Sequence, residues 1–516
     1  MLWEKHNRRK TLKNQIKAGI MLSYLINGVN ILIQVTYMPV MIRLLGQSEF
    51  GLYSLVSGVV SYLSLFSLGF TGAYLRFFSR ENQKRNQEGL AALNGMFLLL
   101  FGVLAAAALA CGLALSCFPR QIFGGKLSGP ELGEAGILMR ILVVNIALSL
   151  ISGIFDSIIS AYEQFIFQRT VSLLAAVMNP FVCLPLLLMG YGNVMLVAVT
   201  TCITAAKLGV NVWYCFRKLR IPVSFEGLRF SLLKEVGAFS FFLLLNMVID
   251  QINWNVDKII LSHTNGTREV AVYGVASQIN SLFMVFSTTI SSVFSPRINR
   301  IAAENSPACR KEFTVLMARI GRVQWMVLGL LAIGFVTFGK YFIIQIYAGA
   351  DYGSAYPSAL LLVLPALIPL IQNAGIEIQR ALNRHQFRSI VYFLMAIGNI
   401  FISIPLAQRF GSVGAATGTA VSLLLANGLI MNIFYHKALK IDMCFFWKEI
   451  GKTLPGFLAP LALGILITRR VTFDSFTEYV LHVALFTAVY CLSVYFLSCN
   501  REEQALVRSL MGRKRG

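Results

Sequence analysis

Charge is scarce in this chain. Of its 516 residues only 13% are Asp, Glu, Lys or Arg, about half the share near 25% that a soluble domain carries. No polar stretch is long enough to fold as a separate catalytic or nucleotide-binding domain. G-x-x-x-x-G-K-[ST] is absent, so a P-loop for ATP is not expected. G-x-S-x-G and H-E-x-x-H are also absent. The five His are scattered, with His6 and His436 at loop edges. The nine Cys lack metal-ligand spacing, and Cys111, Cys183, Cys202 and Cys491 fall inside apolar segments. Cys there behaves as a small hydrophobe, so neither a disulfide framework nor a zinc site is expected. The chain reads as no enzyme and as needing no cofactor or metal. Nor does Met1–Lys17 continue into a cleavable leader, because the apolar run after it is too long and lacks a small-residue cleavage site.

What is present is apolar, at 56% of the residues. About fourteen stretches of about 18–25 residues follow one another, and a bilayer core of about 30 Å needs about 20 residues per helix. The candidate spans are 17–40, 49–71, 90–117, 135–161, 169–189, 193–215, 237–262, 270–295, 315–339, 357–380, 388–407, 412–436, 454–468 and 478–498. The expected fold class is an all-α polytopic membrane protein, because helices satisfy their own backbone hydrogen bonds in lipid.

A net charge of +22 could suggest nucleic acid, but the placement of the charges argues for topology instead. With the N-terminus taken as cytoplasmic, 34 of the 45 Lys and Arg fall on that side, 8 on the other, and 3 inside segments. Such a split obeys the positive-inside rule and predicts both termini in the cytoplasm. No nucleic-acid partner is expected.

The two halves of the first twelve spans match at an offset of 220 residues. Glu49, Tyr53, Ser61, Phe66, Ser67 and Arg80 correspond to Glu269, Tyr273, Ser281, Phe286, Ser287 and Arg300. Ala161, Asn179, Pro185 and Ala206 correspond to Ala381, Asn399, Pro405 and Ala426, with no gap. A parallel repeat of six helices predicts two lobes around a central cavity, a transporter plan. The expected organisation is a basic N-terminus at 1–16, an N-lobe at 17–215, a linker at 216–236, a C-lobe at 237–436, a two-helix appendage at 437–498 and a basic tail at 499–516.

Charges inside spans are costly and need a reason. Lys207 sits near the middle of the sixth span beside Thr201, Thr204 and Asn211. It is either a cavity cation for an anionic substrate or the partner of a carboxylate in a packed bundle. Arg140 in the fourth span is either a second cavity cation or a snorkelling interfacial residue. In the seventh span Asn246, Asp250, Asn253 and Asp257 recur at spacings of 4, 3 and 4, which sets them on one helical face. That face is expected to line the cavity, with Asp250 or Asp257 a candidate proton or cation site. Pairing with Lys258 or an Arg of another helix is the alternative. Asp156 and Glu377 are the other intramembrane acids, and Glu377 sits three residues before Arg380.

The stretch Ile31-Leu32-Ile33-Gln34-Val35-Thr36-Tyr37-Met38-Pro39-Val40-Met41-Ile42-Arg43-Leu44-Leu45-Gly46, followed by Glu49-Phe50-Gly51-Leu52-Tyr53, resembles the opening of the bacterial polysaccharide-export flippases. So do Asn253-Trp254-Asn255-Val256-Asp257-Lys258-Ile259-Ile260-Leu261 with Val272-Tyr273-Gly274-Val275-Ala276, and Ala381-Leu382-Asn383-Arg384 with Gly411 and Gly414-Ala415-Ala416. Those flippases belong to the multidrug, oligosaccharidyl-lipid and polysaccharide exporter superfamily, and the resemblance covers about residues 15–440. It implies alternating-access export of an undecaprenyl-diphosphate-linked oligosaccharide for capsule or lipopolysaccharide assembly. The implied partners are that lipid-linked oligosaccharide, the bilayer, and a polysaccharide polymerase or glycosyltransferases. Proton or sodium coupling stays open. The rival readings are a multidrug or cation-coupled exporter of the same fold, a lipid-linked peptidoglycan-precursor flippase, and an integral-membrane glycosyltransferase. The first span holds no carboxylate for the first of these, and the outer loops are short for the last.

Overall fold

A computed structural model describes residues 2–512 except 68–69, 85, 227–229, 305–308, 383, 385, 472 and 474; the side chains of most residues before 18 and of 230–243 also fall outside the description. Among the described residues every regular element is a helix. Among the described residues nine helices are long and apolar enough to cross a membrane. Two bent pairs, Ala355–Ile371 with Asn373–Ala381 and Met443–Gly451 with Pro455–Arg470, raise the number to 11 when each is counted as one span.

Two of the nine are too long for a single crossing. Met21–Gln83 has 63 residues, about 95 Å at about 1.5 Å per residue, against a core of about 30 Å. It breaks at Gly46, whose φ of 73° only glycine adopts readily. Gln386–Lys437, with 52 residues, breaks at Gly411 with φ 57°.

The chain divides into two compact units. The first holds Met1–Gly274 and Ala407–Gly411. Its helices start where local chemistry supplies caps. Ser128 and Glu131 form a reciprocal capping box before the Gly129–Ala161 helix, and Asn86 accepts from the Gly89 amide before Gln87–Leu115. Phe70, Tyr74, Phe97, Phe101, Ile154 and Ile158 pack as one cluster. The Tyr74 hydroxyl donates to Asn94 Oδ1 at 2.7 Å, and Asn94 Nδ2 donates to the Pro222 carbonyl at 2.8 Å, so the buried polar atoms are satisfied.

Repeat-matched positions carry matched structure within this unit. Gly46 and Gly266 both have positive φ. Glu49 Oε2 accepts from the Asn193 amide at a helix start, and the Glu269 carboxylate lies against Gly411, also at a helix restart. A carboxylate at a helix N-terminus is favoured by the macrodipole. Gly51 and its match Ala271 touch, as do Ser54 and its match Gly274. A Cβ on Gly51 would lie 2.0 Å from the Thr267 carbonyl oxygen, so only glycine permits this crossing.

The repeat is not gapless. Asn179 Nδ2 donates to Thr200 across 21 residues at 3.0 Å, and the matching Asn399 Nδ2 donates to Thr419 across 20 residues at 3.4 Å. One residue is lost between the paired helices in the later copy, which puts Ala206 and Ala426 out of register.

The second unit holds Val275–Leu406 and Ser412–Gly516. Its last two membrane helices, Pro455–Arg470 and Phe476–Leu497, pack on Cys309–Tyr341 through Phe338, Phe457, Tyr479, Phe486 and Tyr490. Small residues set the approach: a Cβ on Gly329 would meet the Phe457 ring at 2.7 Å, and one on Gly464 would meet Thr337 at 2.5 Å. Arg322, which the charge pattern assigns to a cytoplasmic loop, is 4% exposed. It donates twice to Glu503, at 2.9 and 2.8 Å, and once each to the Glu449 and Ser498 carbonyls. The sequence leaves this clamp unseen because its acids lie more than a hundred residues away.

Candidate functional site

The Asn193–Trp213 helix has one polar face, made by Thr200, Thr204, Lys207 and Asn211 at helical spacing. Every member has a partner on a neighbouring helix. Asn145 Nδ2 donates to Thr204 Oγ1 at 3.0 Å, and Asn179 donates to Thr200. Lys207 Nζ donates to Asp156 Oδ2 at 3.0 Å, and Asn211 Nδ2 donates to Asp156 Oδ1 at 3.0 Å. Both carboxylate oxygens are therefore engaged. Asn211 is fully buried, whereas the Lys207 and Asp156 side chains are 24% and 23% exposed. Of the two readings of Lys207, the carboxylate partner is present, and the pair is nevertheless about a quarter exposed rather than sealed.

Arg140 lies on the same Gly129–Ala161 helix as Asp156, four turns nearer its start. It is exposed and has no ion pair among the described residues. The structure does not bring it to Lys207.

The seventh-span stripe divides. The Asn246 side chain lies outside the described residues. Asp250 is exposed and Asn253 half-buried. Asp257 is 1% exposed and accepts from the Tyr273 hydroxyl at 2.6 Å. A second polar face of the Phe230–Thr264 helix escapes the spacing analysis. Ser61 Oγ donates to Gln251 Oε1 at 2.8 Å, and Asn255 Nδ2 donates to Ser61 Oγ at 3.1 Å and to Gln251 Oε1 at 2.8 Å. Gln251 Nε2 reaches Ser64 Oγ at 3.4 Å. Their signal was two amides four residues apart, one face over from the acids. Glu377 pairs with Arg380 at 2.9 Å, as its spacing predicts.

Chemically, such groups offer hydroxyls, amides and one ion pair inside apolar helices. The family model for polysaccharide biosynthesis proteins matches residues 16–302. The chain belongs to this family. As a polysaccharide biosynthesis protein it is a multi-pass protein of the bacterial inner membrane. Two curated proteins are similar along most of their length. A candidate O-antigen transporter of Shigella flexneri is 19% identical over 79% of this chain and 94% of its own. The uncharacterized membrane protein EpsK of Bacillus subtilis (strain 168) is 21% identical over 95% and 96%. Among solved structures, the lipid II flippase MurJ in an inward closed conformation superposes with TM-score 0.71 at 15% identity, over 93% of this chain and 98% of that one. An inward-facing multidrug-resistance MATE family transporter of the MOP superfamily superposes with TM-score 0.66 at 14% identity, over 79% and 96%. The family member thus has the all-helical fold those transporters share.

Proposed function

We propose that the protein is a flippase that moves an undecaprenyl-diphosphate-linked oligosaccharide from the inner to the outer leaflet by alternating access. Family membership and the transporter fold support this reading. The observation that carries it is the Lys207–Asp156 pair, about a quarter exposed and held by Asn211, inside the membrane. A charge at mid-bilayer costs about 2.5–3.5 kcal/mol on insertion scales, and a hydrated sugar path gives such a group a use.

In this reading Lys207 exchanges Asp156 for a phosphate oxygen as the cargo passes, because a charge-assisted bond to a dianion is the stronger one. Arg140 is the second candidate cation for the diphosphate. Asn246, Asp250, Asn253 and Asp257 are the candidate contacts to sugar hydroxyls, with Asp250 the candidate proton or sodium site. Thr200, Thr204, Gln251 and Asn255 join them as polar lining that spacing alone did not single out. A polysaccharide polymerase and glycosyltransferases are the proposed partners in assembly.

A second reading, carriage of a lipid-linked peptidoglycan precursor, draws on the likeness to the lipid II flippase MurJ, which covers 93% of this chain. Deleting the gene separates the two. Loss of surface polysaccharide with normal growth supports the first reading; lysis with polysaccharide retained supports the second and refutes the first.

A further inference from the structure

The second unit contains a cavity of about 540 Å³ that the transport reading leaves without a task. It lies at the end of the Cys309–Tyr341 and Pro455–Arg470 helices that the charge split assigns to the outside. Those helices touch at Thr337 and Gly464 and separate beyond that point. The wedge between them is lined by Tyr341, Phe473, Thr337, Thr468, Lys340 and Gln345.

The lining has a definite chemistry. Tyr341 stacks on Tyr479 with centroids 4.7 Å apart and meets Phe473 edge-on at 5.0 Å. This fixes a half-buried aromatic wall of the kind that packs on the C–H face of a pyranose ring. The Thr337 and Thr468 hydroxyls donate within their own helices, to Ile333 O at 2.9 Å and Gly464 O at 3.0 Å. Their lone pairs therefore remain as acceptors for ligand hydroxyls. Lys340 is exposed at the rim, and Arg469 and Arg470 follow directly on Thr468. None of these three cations has an acidic partner among the described residues. The volume falls within the range of about 300–1,000 Å³ typical of small-ligand pockets.

We propose that this wedge is a second carbohydrate site, distinct from the Lys207 group, that takes an acidic saccharide of the hexuronate class. A pyranose ring lies against Tyr341 and Phe473, its hydroxyls donate to Thr337 and Thr468, and its carboxylate pairs with Lys340. The inference rests on the saccharide-exporter reading for its biological sense but not for its test. Placed at the outer ends of the helices, such a site retains the cargo's sugar after release from the transport path. An anionic lipid headgroup shares the charge and, in phosphatidylglycerol, the hydroxyls, but it has no ring to lie against the aromatic wall.

The full chain, purified in uncharged detergent, is tested for binding trigalacturonate by saturation-transfer NMR, with maltotriose as the neutral probe. The expected result is binding of trigalacturonate in preference to maltotriose. It should weaken about tenfold in Lys340→Gln, the loss of one charge-assisted bond, fall further in Tyr341→Ala, and persist in Lys207→Ala. Lys340 is exposed, so Lys340→Gln decides the matter if Tyr341→Ala does not fold. No binding by the wild type, equal binding of maltotriose, unchanged affinity in Lys340→Gln, or loss in Lys207→Ala overturns the proposal. So does displacement of the saccharide by phosphatidylglycerol added to the micelles, which marks a headgroup site. Surface polysaccharide in the deletion strain is scored separately. If the gene is required for export while trigalacturonate does not bind, this inference alone fails. If trigalacturonate binds while the strain keeps its polysaccharide, the exporter reading fails.

Discussion

Lys207 Nζ stands 3.0 Å from Asp156 Oδ2, and Asn211 holds the other carboxylate oxygen at the same distance. The pair joins two helices inside the membrane, yet about a quarter of each side chain is exposed. An ion pair built only for packing gains nothing from that opening. Lys207→Ala leaves Asp156 uncompensated and Asp156→Ala does the same to Lys207, at an expected cost of about 2.5–3.5 kcal/mol each. The double variant should recover expression toward the wild type, because two opposite charges have gone together. Transport should stay low in all three. Thermal stability and surface polysaccharide, measured side by side, test this; a double variant with full transport would assign the pair to packing alone.

Asp250 and Asp257 should respond differently to amidation. Asp257 is buried on the Tyr273 hydroxyl at 2.6 Å, so Asp257→Asn weakens a buried hydrogen bond and should lower stability by about 1–3 kcal/mol. Asp250 is exposed, where solvent screens its interactions, so Asp250→Asn should cost less stability than Asp257→Asn. At equal expression Asp250→Asn should reduce surface polysaccharide more than Asp257→Asn does. Equal export in both would remove Asp250 as the coupling site.

Much of the fold was legible before any coordinates, for a physical reason. Lipid forces long apolar helices, so composition and apolar run length report the all-helical architecture directly. The repeat was legible through Glu49 and Glu269, whose matched positions turn out to carry matched contacts. Its one-residue slip was not, because Ala206 and Ala426 match in any apolar register. Individual charges were legible as expensive, and Lys207 was placed among the right neighbours. Its partner was not chosen, since Asp156 lies 51 residues away and nothing local links them. The split of the seventh-span stripe was hidden for the same reason, because spacing gives a face but not what the face meets. Arg322 shows the limit most clearly: a residue counted among loop cations is a buried clamp.

Gly51 should be intolerant. Gly51→Ala puts a methyl 2.0 Å from the Thr267 carbonyl, a backbone atom that cannot swing aside. A neighbouring control, Gly28→Ala, has nothing within 4 Å. Folded yield by fluorescence size-exclusion should fall sharply for Gly51→Ala and hold for Gly28→Ala. Normal yield of Gly51→Ala would place the crossing elsewhere.

The tail clamp should depend on acid pH. Burial works against the Glu503 carboxylate, but hydrogen bonds from Arg322 and the Asn500 amide outweigh it and hold its pKa below the usual carboxylate value. A depressed folded pKa contributes stability that is complete above the unfolded value of about 4.3. That stability is lost as pH falls through the lower, folded value. Protection of the Arg501–Gly512 helix in hydrogen exchange, corrected for intrinsic rates, should persist at pH 5–7 and decline progressively as pH falls below the unfolded value of about 4.3. In Glu503→Gln it should be weak at every pH; protection in that variant equal to the wild type's would refute the clamp.

The central claim is movement of a lipid-linked saccharide between leaflets. The most direct measurement reconstitutes the purified chain in liposomes carrying undecaprenyl-diphosphate-linked oligosaccharide and follows the fraction accessible to a membrane-impermeant sugar oxidant. The account predicts that accessibility rises from one leaflet's share toward the whole pool with wild-type protein, and stays at one leaflet's share with Lys207→Ala or with empty liposomes. Accessibility fixed at one leaflet's share with folded wild-type protein, under an imposed proton or sodium gradient and without one, would contradict it.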